Sequence, residues 1–350
     1  MSEPQAAVIG YGYAGRSFHS YLISITDGLT LRGVASRSAD TREKIREERG
    51  CRAYESFDQA ITDPEVGLVV LGTPNHVHAE QAIRAMDAGK HVVTDKPMCR
   101  TLAECDRMIE ASRRNDVLLT VFQNRRWDGD YLTLRKLRRT GELGNLRWLE
   151  MAWNCAGPSS NPWRRQADLG GGRLFDLGAH MIDQVMMLFP QAVETVYCRL
   201  QRDFEDTDVE SHAMVVIGFE GGNTAVVDAG SMHAIEKPRI HAFGSKAAYI
   251  KYGRDPQEGA MNRGDIDAAE EPEELYGRLK TREGEERRVP TVDGRWRCFY
   301  ENIAAVLAGQ AEPAVNIPEM RRVMAIFDAA FESGETDRVI RPDIPALPEA

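Results

Sequence analysis

The sequence predicts an α/β chain in two parts: a doubly wound parallel sheet first, then a domain built on a large, mainly antiparallel sheet. Three observations predict it. The first third alternates short apolar strands with helical stretches, a glycine-rich turn follows the first strand, and beyond about residue 123 the strands lengthen and lose their intervening helices. The 350 residues, 42% hydrophobic and 28% charged, suit two globular domains and exclude disorder, collagen or coiled coil as the overall description. With 44 basic and 54 acidic residues the formal net charge is −10, a surface that repels nucleic acid phosphates and anionic membranes.

Taken in order, Ala6 to Ile9 reads as a strand, followed by a glycine turn and a helix from about Ala14. Leu29 to Ala35 is a second strand, and the charged run Thr41 to Arg49 a helix. Val66 to Gly72 is wholly apolar, as expected of a central parallel strand covered on both faces. The next helix stops at Gly89, a natural left-handed C′ residue. His91 to Thr94 is a strand, Thr101-Leu102-Ala103-Glu104 has capping-box form and opens a helix, and Val117 to Phe122 is a further strand. Leu146 to Asn154, Val193 to Gln201, Ser211 to Phe219 and Thr224 to Ser231 are the longer strands, with Glu220-Gly221-Gly222-Asn223 as a hairpin turn. Residues 253 to 288 read as a long excursion with local structure, and Trp296 to Leu307 and Pro318 to Phe331 as helices. The expected domains are 1–123 for dinucleotide binding and 124–350 for substrate and oligomerisation, with the C-terminal helix packing back on the first.

No apolar run approaches the ~20 residues needed to cross a bilayer. Met1-Ser2-Glu3-Pro4-Gln5 lacks the basic start of a secretory signal, and the six cysteines show no C-x-x-C spacing. The expectation is a cytoplasmic protein with free thiols and no metal site; His76 and His78 read as ordinary loop and helix-start residues.

Gly10-Tyr11-Gly12-Tyr13-Ala14-Gly15 is a G-x-G-x-x-G sequence between a strand and a helix. In such a turn the first glycine bends the chain, the second admits a pyrophosphate to the backbone, and the third lets helix and strand pack closely. The helix N-terminus then offers unpaired N–H groups to phosphate. The cofactor expected is a dinucleotide, and the end of the second strand chooses between NAD and NADP. An NAD enzyme places an acid there for the ribose 2′-OH; this strand ends Ala35-Ser36-Arg37-Ser38, with no acid before Asp40. Arg37 is either a solvated surface residue or the clamp for a 2′-phosphate assisted by Ser36 and Ser38. The missing acid favours the clamp, and so NADP over NAD.

Three further motifs stand at matching distances: Thr73-Pro74-Asn75-His76-Val77-His78, Asp95-Lys96-Pro97, and Gly170-Gly171-Gly172-Arg173-Leu174-Phe175-Asp176-Leu177-Gly178-Ala179-His180. Together with the glycine turn they resemble the Gfo/Idh/MocA oxidoreductases over nearly the whole chain. Gln123-Asn124-Arg125-Arg126-Trp127-Asp128 and Lys251-Tyr252-Gly253-Arg254-Asp255-Pro256-Gln257-Glu258 are most similar to its NADP-dependent scyllo-inositol dehydrogenase branch. The resemblance implies a Rossmann domain and an open C-terminal sheet through which homodimers or homotetramers form. It also implies hydride transfer between a nicotinamide and a secondary alcohol of a polyol or cyclic sugar.

Such a reaction needs a proton acceptor near the hydroxyl. Lys96 lies at the C-terminal edge of a parallel strand, where ligands of doubly wound sheets collect. Asp176 and His180 are four apart, on one face of a helix. By resemblance His180 is the leading proton-transfer group, Asp176 binds a substrate hydroxyl and orients the site, and Lys96 polarises or protonates the reacting oxygen. Which of Lys96 and His180 is the formal acid/base stays open. Thr73, Pro74, Asn75 and His78 are implied to line the nicotinamide or ribose, Asn124 to reach the nicotinamide ring, and Trp163 and Arg164 to close the substrate or cofactor pocket, with domain-interface packing an equal reading for Trp163. Asp95 stands where the family commonly has Glu, one methylene shorter, on the cofactor side. Two other readings are an aldose or dihydrodiol dehydrogenase using the same residues, and a non-catalytic NADP-sensing regulatory protein. A polyol screen with both cofactors separates them.

Overall fold

The computed structural model describes residues 3–347. They divide into two compact units, residues 3–123 with 296–321, and residues 124–295 with 322–347. Residues 296–321 thus leave the second domain that the sequence reading runs unbroken over 124–350. The helix joining the first unit is Arg297–Leu307, whereas the last helix, Ile317–Thr336, runs from residue 322 within the second.

In the first unit the strands are β1 (Gln5–Ile9), β2 (Thr30–Ala35), β3 (Arg52–Tyr54), β4 (Leu68–Leu71), β5 (His91–Thr94) and β6 (Leu119–Val121). Their order is β3-β2-β1-β4-β5-β6, all parallel. All four residues of β4 are buried, as its unbroken apolar run requires with helices on both faces. The short β3 was not read from the sequence; one exposed arginine in three residues leaves too little pattern. Caps follow the expected chemistry: Ser38 Oγ accepts from Thr41 N, Thr101 Oγ1 from Glu104 N, and Gly89 has φ +75°. Register sets function here. Ile9 pairs with Ala35 and Leu71, Leu71 with Thr94, and Thr94 with Val121, so the residues after each strand leave the sheet along one edge. The strand order reverses between β1 and β4, the place where doubly wound sheets bind their ligands.

The second unit holds β7 (Leu146–Asn154), β8 (Val193–Gln201), β9 (His212–Phe219), β10 (Asn223–Gly230), β11 (Ile240–Gly244), β12 (Ala247–Lys251), β13 (Gly277–Thr281) and β14 (Glu286–Val289). Their order is β14-β13-β12-β11-β7-β10-β9-β8, antiparallel except for the β7–β10 pair. The expected hairpin joins β9 to β10 through Gly221 and Gly222, both at positive φ. β13 and β14 lie inside the run read as an excursion. Arg278, Lys280, Glu286, Arg287 and Arg288 are exposed there, and two short charged strands at the end of the sheet carry too little apolar alternation to read. On β7 the residues Leu149, Met151 and Trp153 are buried while Trp148, Glu150 and Ala152 are not, so one face of the sheet is covered and the other open. Among the described residues no helix is long and apolar enough to cross a membrane.

Candidate active site

In the first unit the glycine turn leaves β1 at Gly10, whose φ is +95° and whose N–H donates to Ala35 O. A Cβ on Gly10 would stand 2.7 Å from Gly72 O, and one on Gly15 would stand 2.0 Å from Gly10 O. Both positions therefore exclude side chains, as the packing argument requires. At Gly12 the same construction meets nothing within 4 Å. Open backbone at the second glycine, opposite close packing at the first and third, is the arrangement a pyrophosphate needs. The side chain of Tyr11 is directed elsewhere: its hydroxyl donates to Glu48, which also takes two bonds from Arg16. Tyr13 is half exposed and meets Phe18 edge-on, and Ala14 opens a wide helical turn, Ala14–Ser20.

Ser36, Arg37 and Ser38 follow β2, with Arg37 and Ser38 exposed. Arg42 donates to the carbonyls of both Ser36 and Arg37, placing a second guanidinium at this loop. It lies inside an ordinary charged helix, and nothing in its spacing singles it out. Beyond β4, Thr73 Oγ1 donates to Gln81 Oε1, and Asn75 is buried. His78 is fully buried, with Nδ1 3.0 Å from Pro97 O and Nε2 2.8 Å from Thr73 O. Burial pulls its imidazole below the ordinary value. The ring therefore braces two loops against each other, and Pro74 lies in one of them. Both nitrogens of the His78 ring are thus taken up by backbone carbonyls.

Asp95 and Lys96 follow β5, and the Lys96–Pro97 peptide is cis. The Asp95 carboxylate accepts from Lys96 N at 2.7 Å and lies 3.8 Å from His19 Nε2. Burial pushes this carboxyl up, but His19 and the Lys96 ammonium outweigh burial and hold it at about 2. His19 in turn meets the Tyr300 hydroxyl at 2.7 Å. Neither was singled out from the sequence, because 281 positions separate them.

In the second unit the three consecutive glycines each answer a contact. Gly170 has φ +75°; a Cβ on Gly171 would stand 2.4 Å from Arg164 O; and Gly172, at φ +103°, leaves room for the Glu210 carboxylate, 2.3 Å from where its Cβ would be. Glu210 Oε1 accepts from Leu174 N at 2.8 Å, so this buried acid holds the start of the wide turn Leu174–Gly178. Burial pushes the Glu210 carboxyl up to about 7. Asp176, in that turn, takes the guanidinium of Arg164 and, at 3.3 Å, that of Arg173. Arg164 also lies 4.9 Å from the centre of the half-buried Trp163 ring. Arg164, Arg173, Asp176, Glu210 and Ser231 line one small pocket.

His180 begins the second turn of that helical run, is buried, and stacks on Trp153 at 5.7 Å. Trp153, from the covered face of β7, carries Arg125 4.3 Å, Arg239 5.2 Å and Arg254 5.7 Å from its ring centre. Arg125 is held by Glu258 at 2.7 Å, Gly129 N donates to Asp255, and Gln257 donates to Trp127 O. The segments Asn124–Asp128 and Lys251–Glu258 thus interlock around one indole, with buried Asn124 opening the first of them. Trp153 was not singled out, since an aromatic residue in a strand carries no sequence signal beyond packing.

Residues 5–123 match the oxidoreductase family with an NAD-binding Rossmann fold, and residues 131–250 match the GFO/IDH/MocA C-terminal domain. The chain is 32% identical over 347 residues to the scyllo-inositol 2-dehydrogenase (NADP(+)) IolW of Bacillus subtilis, covering 96% of this chain and 95% of that one. It is 28% identical over 246 residues to the myo-inositol 2-dehydrogenase of Thermotoga maritima, covering 68% and 72%. Among solved structures, the oxidoreductase yvaA of Bacillus subtilis superposes with a TM-score of 0.91 at 29% identity, covering 97% of this chain and 98% of that one. An oxidoreductase of Klebsiella pneumoniae does so with a TM-score of 0.87 at 30% identity, covering 97% and 95%. The chain belongs to the Gfo/Idh/MocA family of oxidoreductases, with an NAD(P)-binding Rossmann domain.

Proposed function

We propose that the protein is an NADP(H)-dependent dehydrogenase acting on a secondary alcohol of a polyol such as scyllo-inositol or of a cyclic sugar. The observation that carries the cofactor choice is the end of β2. Ser36-Arg37-Ser38 offers an exposed guanidinium and two hydroxyls where an NAD site needs a carboxylate, and Arg42 adds a second guanidinium to the same loop. The likeness to an NADP-dependent scyllo-inositol dehydrogenase over 96% of the chain supports the substrate class.

When bound, the nicotinamide accepts or donates the hydride. The residues of the chain do the rest in this reading. Gly10, Gly12 and Gly15 shape the phosphate turn, and Thr73, Pro74, Asn75, Asp95 and Asn124 serve the nicotinamide side. Lys96 polarises the reacting oxygen, and His180 takes the hydroxyl proton during oxidation and returns it during reduction. Trp153 holds the His180 ring by stacking, which limits its rotation during that exchange. Asp176, pinned by Arg164 and Arg173, accepts a hydrogen bond from a second hydroxyl, and Trp163 shields the pocket. The open sheet face, with Trp148 39% and Phe243 38% exposed, is covered by another copy of the chain in this reading.

The test is a screen of inositols and aldoses with NADP and NAD, following absorbance of the reduced cofactor. Turnover of an inositol with kcat/KM at least about tenfold higher for NADP is expected. A tenfold preference for NAD would reject the cofactor assignment. Tight NADP binding without turnover of any polyol would reject the enzyme.

A further inference from the structure

His212, Asp228 and His233 converge outside the residues used above, and each offers one ligand atom, all within 4.8 Å of one another. They come from three places: the first residue of β9, the interior of β10, and the loop that leaves β10. The His212 and His233 rings lie 5.3 Å apart at 87°, above Gly230. A Cβ at Gly230 would stand 2.7 Å from the His233 ring and 3.0 Å from the His212 ring, so glycine lets both imidazoles approach.

Both nitrogens of His212 are engaged by side chains. Its Nδ1 lies 2.8 Å from the side-chain amide of Gln201, and its Nε2 lies 3.0 Å from Asp228 Oδ1. The amide presents an oxygen or an N–H on turning about its own bond, so it fixes the ring in either tautomer. Nε2 then faces the Asp228 carboxylate, where the two can share a metal ion. An imidazole held through one nitrogen by an outer carbonyl oxygen, with the other turned to a carboxylate, has the orientation that outer partners impose on metal-binding histidines. Beside this pair, His233 Nδ1 is buried and has no hydrogen-bond partner among the described residues. Asp228 Oδ1 is steadied by Asn154 Nδ2 at 3.1 Å.

We propose that His212, Asp228 and His233 bind one divalent transition-metal ion, with Zn²⁺ as the fitting occupant and water completing its coordination. Two imidazoles and one carboxylate form a borderline-soft donor set that favours zinc over magnesium or calcium. Zinc bonds of about 2.0–2.2 Å put ligand atoms about 3.3 Å apart, a contraction that side-chain rotation supplies from the present spacing. No local pattern marks this trio, because the three residues are spaced 16 and 5 positions apart without cysteine or an i, i+4 histidine pair. Lys237 sets the limit on affinity. Its Nζ lies 2.5 Å from Asp228 Oδ2, so an ammonium competes for the carboxylate and repels a second cation.

The experiment is calorimetric titration of the metal-stripped full-length protein with Zn²⁺ alone, repeated with Co²⁺ to read its visible absorption. Saturable binding of one Zn²⁺ per chain at micromolar concentration is expected. His233→Ala, in the loop, and His212→Ala should each weaken it by at least about tenfold. Lys237→Gln should tighten it several-fold, and Zn²⁺ should raise Tm in wild type but not in His233→Ala. The inference is overturned if no saturable binding occurs, or if binding survives both histidine substitutions and so belongs to thiols. If His212→Ala does not fold, the His233→Ala and Lys237→Gln results decide alone.

Discussion

The two units treat a carboxylate shielded from water in opposite ways. Asp95, in the first, is drawn down to about 2, because His19 and Lys96 outweigh the penalty of burial. Glu210, in the second, is pushed up to about 7, because burial outweighs the Leu174 N–H that it accepts. The contrast separates two kinds of support. Asp95 stands just past the end of β5 beside its own sequence neighbour, where parallel register gathers the strand ends. Glu210 fills the space left by Gly172 and holds a turn of backbone, a task in which shape counts for more than charge.

The largest effect is expected on replacing the proposed proton-handling residue of each unit. Lys96→Ala and His180→Ala should each lower kcat by about two to four orders of magnitude while NADP affinity, read by fluorescence titration, stays near wild type. Near-normal turnover in both would remove the assigned roles.

Two glycines provide the next contrast. Gly172→Ala combines a φ of +103° with a contact of 2.3 Å to Glu210, and should cost about 2–4 kcal/mol in urea unfolding. Gly12→Ala meets nothing within 4 Å, so it should unfold like wild type yet bind NADP at least about tenfold more weakly. Equal stability losses in the two variants would contradict the division into shape and ligand contact.

The pH dependence of unfolding tests the carboxylates themselves. A Glu210 pKa raised from 4.5 to about 7 means that the folded state holds the proton that the unfolded state releases. Its stabilisation is present below pH 4.5 and declines as pH rises to about 7, by roughly 3 kcal/mol in all. Glu210→Gln should flatten that decline relative to wild type. Asp95 has the opposite sign: its contribution is present above 3.8 and is lost as pH falls toward about 2, so Asp95→Asn should differ from wild type most at neutral pH.

The smallest effect belongs to the exposed cofactor loop. Arg37→Ala should reduce the NADP:NAD ratio of kcat/KM by about tenfold with little change in Tm, since one solvated charge contact is removed.

Much of the first unit was legible because its signals are contiguous. The glycine turn, the apolar run of β4 and the Thr101 cap each involve residues a few positions apart, and parallel register then brings the strand ends to one edge. His78 shows the limit of such reading: its motif position suggested a ligand contact, but its ring is spent on Thr73 O and Pro97 O. In the second unit the motif around Asp176 and His180 was visible, whereas Trp153, Glu210 and the arginines around the indole were not. Arg125 and Glu258 form one ion pair across 133 positions, and no local pattern encodes that meeting.

Sequence alone determined the alternation of strands and helices that builds the first sheet apart from β3, the steric demand for glycine in the turn after β1, and the lack of an acid directly after β2. These follow from backbone freedom and side-chain chemistry acting over a few residues. Tertiary structure alone decided that Glu210 lies under Gly172, that His19 and Tyr300 meet beside Asp95, and that a tryptophan gathers three guanidiniums. Burial and long-range contact set those energies, and both arise only when distant segments are brought into one low-dielectric interior.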